Sequence, residues 1–173
     1  MAHAKQNYST QVEDTVNDQI HVEQTASHTY RFDAAWCDRD NVALPGLESY
    51  FRHKTEEESE RAQKLISYQN MRGGRAILKQ VPAPATELRS PKKVVEGSLQ
   101  LEKDVNKALL SFSLQAQEAK DAQLDNYVKQ KFLAEQAESI EELARMTTQL
   151  ERVGADGLGL YIWDRDLKHK TKV

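Results

Sequence analysis

The feature that most constrains this chain is how seldom it is interrupted. Seven glycines and four prolines are spread unevenly over 173 residues. They leave long stretches in which apolar residues recur every three or four positions, the period of an α-helix with one buried face. The first stretch covers about 10–38, with Thr10 and Glu13 in capping-box spacing at its start. Pro45 suits the first turn of a second helix, about 45–72, which Gly73 and Gly74 close. Ser90 and Pro91 read as cap and first residue of a third, about 91–119. A polar joint at Asp121 leads to a fourth, about 122–153, and Gly154 and Gly157 precede a short fifth, about 158–167. The basic tail 168–173 is expected to fray.

Between Arg75 and Arg89 the periodicity lapses, and Pro82 and Pro84 break the backbone. Short joints make the first two helices, and the next two, antiparallel pairs. A loop this long can cross the length of the bundle between the pairs. The expectation is one all-α domain over 1–173: a four-helix bundle with one long crossover and a short C-terminal helix.

Core seams can be written for each helix. They are Val16, Ile20, Glu23, Ser27, Tyr30, Ala34, Cys37; Leu47, Phe51, Lys54, Glu58, Arg61, Leu65, Tyr68; Val95, Leu99, Glu102, Asn106, Leu109; and Phe132, Gln136, Ile140, Leu143, Met146, Leu150. Each is apolar at its ends and polar near its middle. Glu23, Glu58, Arg61, Glu102 and Gln136 therefore converge on one buried layer. Uncompensated buried carboxylates cost several kcal/mol each, so three together need a cation, protons or a basic partner. Carboxylates converging from separate helices are how a bundle holds two iron ions. Spacing alone leaves open a seam displaced by one step, with these side chains in water.

Other function classes find no support. The charged fraction is 29% against 39% hydrophobic, the apolar runs are short, and no membrane span is expected. Net charge is −3, without the basic footprint of a nucleic-acid binder. The polar start and the single Cys37 suggest a non-secreted, cytoplasmic protein.

Several motifs in order resemble ferritin. They are Gln6-Asn7-Tyr8, the turn Asp38-Arg39-Asp40-Asn41-Val42-Ala43-Leu44, the marker Gln69-Asn70-Met71-Arg72-Gly73-Gly74-Arg75, Leu101-Glu102-Lys103-Asp104-Val105-Asn106, and Phe132-Leu133-Ala134-Glu135-Gln136. The similarity runs from about Lys5 to Leu167. It is to animal-type ferritins, with heavy-chain and light-chain features mixed. It implies a shell of twenty-four subunits, alone or with other ferritin chains, that oxidises ferrous iron and stores a ferric mineral. It also implies iron ligands at Glu23, Glu58, Glu102 and Gln136, with Tyr30 hydrogen-bonded to a ligand carboxylate.

At the fifth ligand position the family has His, and this chain has Arg61. Imidazole can donate a lone pair to iron; a guanidinium cannot. Arg61 is expected to fork onto Glu58 and Glu23, a contact worth about 4 kcal/mol of Coulomb energy at an effective dielectric of about 20. The ferroxidase centre would then be impaired or lost. Alternatively, Arg61 swings away and four ligands hold iron weakly.

Glu56, Glu57 and Glu60 match acids that light-type chains place on the inner surface for mineral nucleation, although such a run is also what a solvated helix face looks like. His53 lies beside them. The three-fold channel acids of the family are replaced by Asn126 and Lys129, with Asp125 adjacent, so Lys129 should repel cations. Leu160 and Ile162 on the fifth helix suit either burial between subunits or docking on the chain's own bundle. The readings that remain are an iron-storage subunit with weak ferroxidase activity, a structural or protein-protecting cage, and a fully active ferroxidase.

Overall fold

The computed structural model describes residues 3–85, 89–154 and 156–170. The helices are α1 (Thr10–Cys37), α2 (Pro45–Met71), α3 (Pro91–Glu118), α4 (Ala122–Val128), α5 (Ala134–Val153) and α6 (Gly157–Lys170). A π-helical turn, Lys129–Leu133, joins α4 to α5, so together they form the fourth rod of the bundle. No strand occurs among the described residues. None of the helices in them is long and apolar enough to cross a membrane.

Local chemistry explains the starts and stops. Ser9 caps α1 by accepting from Val12 N, which replaces the expected capping box at Thr10. Glu13 has other work: it pairs with Lys5 (2.6 Å) and accepts from Arg75 N (2.7 Å). Pro45 and Pro91 occupy first turns as expected, and Ser90 caps α3 through Lys93 N. Asp121 caps α4 through Leu124 N. After α2 the chain turns at Gly73, whose φ of +77° and closeness to Lys5 N (2.7 Å from an ideal Cβ) exclude a side chain.

The crossover runs along α1. Arg75 N meets Glu13, Ile77 N donates to Asn17 Oδ1 (2.9 Å), Lys79 pairs with Asp18, and Arg89 pairs with Asp33. From position 13 to position 33 is about 30 Å of helix, so the loop does cross the bundle's length. Residues 86–88 of the expected loop, and 171–173 of the expected tail, lie outside the described residues.

α1 packs along α2, and α3 along the fourth rod. The buried apolar residues form two separate clusters. One holds Val16, Ile20, Leu65, Leu109, Leu124 and Phe132; the other holds Tyr30, Leu47, Phe51, Val95, Leu143 and Leu150. The polar layer lies between them along the seams. α6 packs against α2 and α5. Its Asp164 accepts from Gly46 N (2.9 Å) and Leu47 N (2.8 Å), capping α2 from another helix. Position 46 must be glycine, because a Cβ there would sit 1.9 Å from Asp164 O. At 157–170 this helix is longer than expected.

Candidate metal centre

Four helical rods deliver the layer. Glu23 comes from the middle of α1, Glu58 and Arg61 from α2, Glu102 from α3, and Gln136 from the first turn of α5. All five are buried, none more than 4% exposed. The π-turn is what brings Gln136 in. Leu124, Val128, Phe132 and Gln136 are all buried at a constant spacing of four. In a regular α-helix that spacing drifts around the axis; one wider turn absorbs the drift.

The contacts form a chain from Tyr30 to Glu58. Tyr30 donates its phenol O–H to Glu102 Oε1 (2.6 Å). Gln136 Nε2 donates to Glu102 O (2.8 Å) and to Glu102 Oε2. Arg61 Nη1 donates to Gln136 Oε1 (2.7 Å) and Glu58 Oε1 (3.2 Å), while Nη2 donates to the Phe132 carbonyl (3.2 Å) inside the π-turn. Arg61 Nη1 thus pairs with both expected carboxylates, hydrogen-bonded to Glu58 and at ion-pair distance, 4.0 Å, from Glu23 Oε2. Glu23 is held on its other oxygen by Gln19 Nε2 (2.7 Å). Glu23 Oε2 and Arg61 Nε are both buried without a hydrogen-bond partner.

A residue that sequence reasoning placed in the seam without a role turns out to matter. Lys54 is 3% exposed. Its Nζ donates to Glu57 Oε2 and Ser139 Oγ, both at 2.8 Å, and lies 3.7 Å from Glu102 Oε1. The helical period placed it correctly. Its cross-helix partners are separated from it by dozens of residues, so no local signal gave them.

The charges nearly balance. Three carboxylates, Glu23, Glu58 and Glu102, face two cations, Arg61 and Lys54. Burial, followed by the neighbouring Glu23 carboxyl and a hydrogen bond with it, pushes Glu58 well above the usual carboxylate range. The raised Glu58 brings the layer toward neutrality. Burial opposes charge on Arg61, yet Glu23 and Glu58 outweigh it and raise the group. For Lys54, burial is likewise outweighed, by Glu102 and Glu57. Burial, then Glu102, raises Tyr30 and keeps it a neutral donor. Among the described residues no group of three or more His, Cys, Asp or Glu side chains is arranged to hold a metal ion. The expected ligands Glu23, Glu58, Glu102 and Gln136 are brought together, but Arg61 donates to Glu58 and Gln136 and Lys54 lies 3.7 Å from Glu102.

Residues 13–153 match the family model for the ferritin-like domain, Ferritin. The chain belongs to the ferritin family. It is 42% identical to soma ferritin of Lymnaea stagnalis, over 96% of this chain and 95% of that protein. It is 43% identical to chloroplastic ferritin-3 of Vigna unguiculata, again over 96% of this chain, although it spans only 66% of that protein. To a ferritin of Pacifastacus leniusculus it is 38% identical, over 90% of this chain and 86% of that protein.

The other ferritin positions fall as follows. Glu57 and Glu60 line a groove of about 760 Å³ between α2 and α5, with Glu135, Glu138 and Glu142 on the far side. Glu56 does not join them: it lines a different groove, with Arg31 and Arg52. Glu56 and Glu57 diverge by about 100° around the helix, and Glu60 lies between their directions. His53 Nε2 lies 3.2 Å from Glu57 Oε1.

At the start of the fourth rod, Asn126 and Lys129 are exposed. Lys129 Nζ pairs with Asp125 Oδ2 at 2.6 Å, and Asp125 Oδ1 accepts from Ser113 Oγ (2.6 Å). The expected repulsion by Lys129 is therefore offset locally, one carboxylate against one ammonium. On α6, Leu160 packs on the chain's own core, whereas Ile162 is 40% and Tyr161 64% exposed.

Proposed function

We propose that this chain is an iron-storage shell subunit whose own ferroxidase layer is closed by Arg61. The observation that carries the reading is Arg61 Nη1 at 2.7 Å from Gln136 Oε1 and 3.2 Å from Glu58 Oε1. Two oxygens that the family resemblance assigns to iron instead accept from a fixed cation. A ferrous ion there would meet a positive charge with no lone pair to offer. Iron would enter and mineralise through oxygen-donor surfaces outside the layer. The groove lined by Glu57, Glu60, Glu135, Glu138 and Glu142 is the candidate, since hard oxygen ligands suit ferric ions.

Assembly into a shell of twenty-four, alone or with catalytic ferritin chains, belongs to the same proposal. So does a cytoplasmic location, which the buried free Cys37 fits.

The test is rapid-mixing oxidation of two ferrous ions per subunit in air, followed by measurement of retained iron after prolonged loading. The reading expects no fast phase and a retained ferric core. A fast phase would make the chain an active ferroxidase and overturn the reading. No fast phase and no retained iron would leave a structural cage, a reading favoured by the engagement of Glu57 with both Lys54 and His53.

A further inference from the structure

We propose that Lys54 is a second block on the buried layer, closing its Glu102 half as Arg61 closes its Glu58 half, so that both cations must go before two metal ions can bind. The inference rests on the reading of Arg61 given above and extends it to a residue that the ligand pattern does not include.

Lys54, Glu58 and Arg61 follow one another along the buried stripe of α2. The order is cation, anion, cation over about 10 Å of helix axis. The two cations serve different neighbours. The hydrogen bonds of Arg61 go to Glu58, Gln136 and the Phe132 carbonyl. The Lys54 ammonium lies 3.7 Å from Glu102 Oε1, the same oxygen that accepts from Tyr30. Glu102 therefore meets a phenol and an ammonium on one oxygen and the Gln136 amide on the other.

Lys54 is also fixed in place. Its stem is buried, and Glu57 on its own helix and Ser139 on α5 hold the ammonium at 2.8 Å each. Lys54 lines the acidic groove, and so do Glu58 and Arg61. The ammonium thus stands where the groove meets the layer, between the surface carboxylates and Glu102. An ion moving inward from Glu57 meets this charge first. Removing Arg61 alone frees Glu58 and Gln136 but leaves Glu102 engaged and the entrance positive.

The experiment compares the assembled parent with Arg61→His, with Arg61→His/Lys54→Gln, and with Arg61→His/Lys54→Arg. Binding is read without turnover, by anaerobic titration with cobalt(II) followed by visible absorption and calorimetry. Oxidation of two ferrous ions per subunit is read afterwards. The expected result is one tight cobalt site in Arg61→His and two in the Lys54→Gln double variant. The double variant should oxidise iron about tenfold faster or more than Arg61→His. The Lys54→Arg double variant should behave as Arg61→His does, because it keeps the charge. Lys54→Met, which keeps the stem's volume, replaces Lys54→Gln if thermal unfolding shows that variant to be poorly folded.

Two cobalt sites and full speed in Arg61→His alone would overturn the role of Lys54 and leave the Arg61 reading standing. Equal gains from Lys54→Gln and Lys54→Arg would show that packing, not charge, is at stake, and would overturn it too. So would the failure of either neutral double variant to gain a second site. A parent that already binds two ions and oxidises quickly would overturn the proposed function itself, and this inference with it.

Discussion

Two buried arginines, Arg61 within α2 and Arg72 at its C-cap, have opposite surroundings. Arg72 is fully provided for. Its two terminal nitrogens take both oxygens of Asp121 (3.1 and 2.9 Å), Nη2 also donates to the Asn7 carbonyl (3.1 Å), and Nη1 donates to Tyr68 Oη. The Tyr8 and Tyr68 rings flank the guanidinium at 4.6 and 5.6 Å. Arg61 has a single close carboxylate, an amide and a carbonyl, and its Nε has no hydrogen-bond partner. The carboxylate of Glu23 stops 4.0 Å away with an oxygen that also lacks one. Arg72 sits in a pocket shaped for a guanidinium. Arg61 sits in a layer whose oxygens are spread over four rods and do not close around it. The first arrangement holds the fold together; the second fills a space that another ligand geometry would suit.

Breaking the Arg72 side should have the largest effect. Asp121→Ala strands a buried guanidinium and removes the α4 cap, so urea unfolding should show a loss of about 3–5 kcal/mol. A loss under about 1 kcal/mol would mean that Arg72 finds water or another partner, and the contrast would collapse.

Arg61→Met should cost less, about 1–3 kcal/mol near pH 8, and the cost should depend on pH. The folded pKa of Glu58 is raised, chiefly by burial and then by Glu23. Such a group contributes stability below its unfolded pKa and loses it as pH rises through the folded value. Arg61 pulls Glu58 downward, so its removal raises Glu58 further and enlarges the loss at higher pH. Unfolding near pH 5 should therefore show a much smaller difference between parent and variant. The same cost at both pH values would mean that Arg61 does not hold Glu58 down.

Tyr68→Phe removes one hydroxyl acceptor from Arg72 and should cost about 1 kcal/mol in the same assay. Glu135→Gln should change stability by about 0.5 kcal/mol or less, since the Glu135 side chain is 60% exposed and its carboxylate lies 3.9 Å from Arg61 Nε. A larger effect would show that Arg61 depends on the groove as well as on the layer.

Every seam residue named for α1 and α2 is buried, although Val12, Ala26, Tyr50 and Ala62 widen the buried stripes beyond those seams. In α3 the period was right but the stripe is wider, so Leu99 and Asn106 are half-buried while Val94, Ser98 and Val105 share the interface. The convergence of Glu23, Glu58, Glu102 and Gln136 followed from the same periodicity. The π-turn left a trace in the spacing of Leu124, Val128, Phe132 and Gln136, although a template of alternating threes and fours passes over it. The pairing of Lys54 with Glu102 left none, because it joins two helices by an ionic contact that no local rule encodes. Lys129 and Asp125 are four apart on one helix, and their pairing was available to the i, i+4 rule.

Asp164 caps Gly46 from 118 residues further along the chain. During synthesis the first turn of α2 emerges long before its cap. Helices α1 and α2 can pair while the rest is still being made, but the amides of Gly46 and Leu47 must wait for the last helix. Completion of the bundle is thereby tied to the synthesis of α6. A chain that stops before position 164 would leave the α2 terminus open, with the amides of Gly46 and Leu47 uncapped.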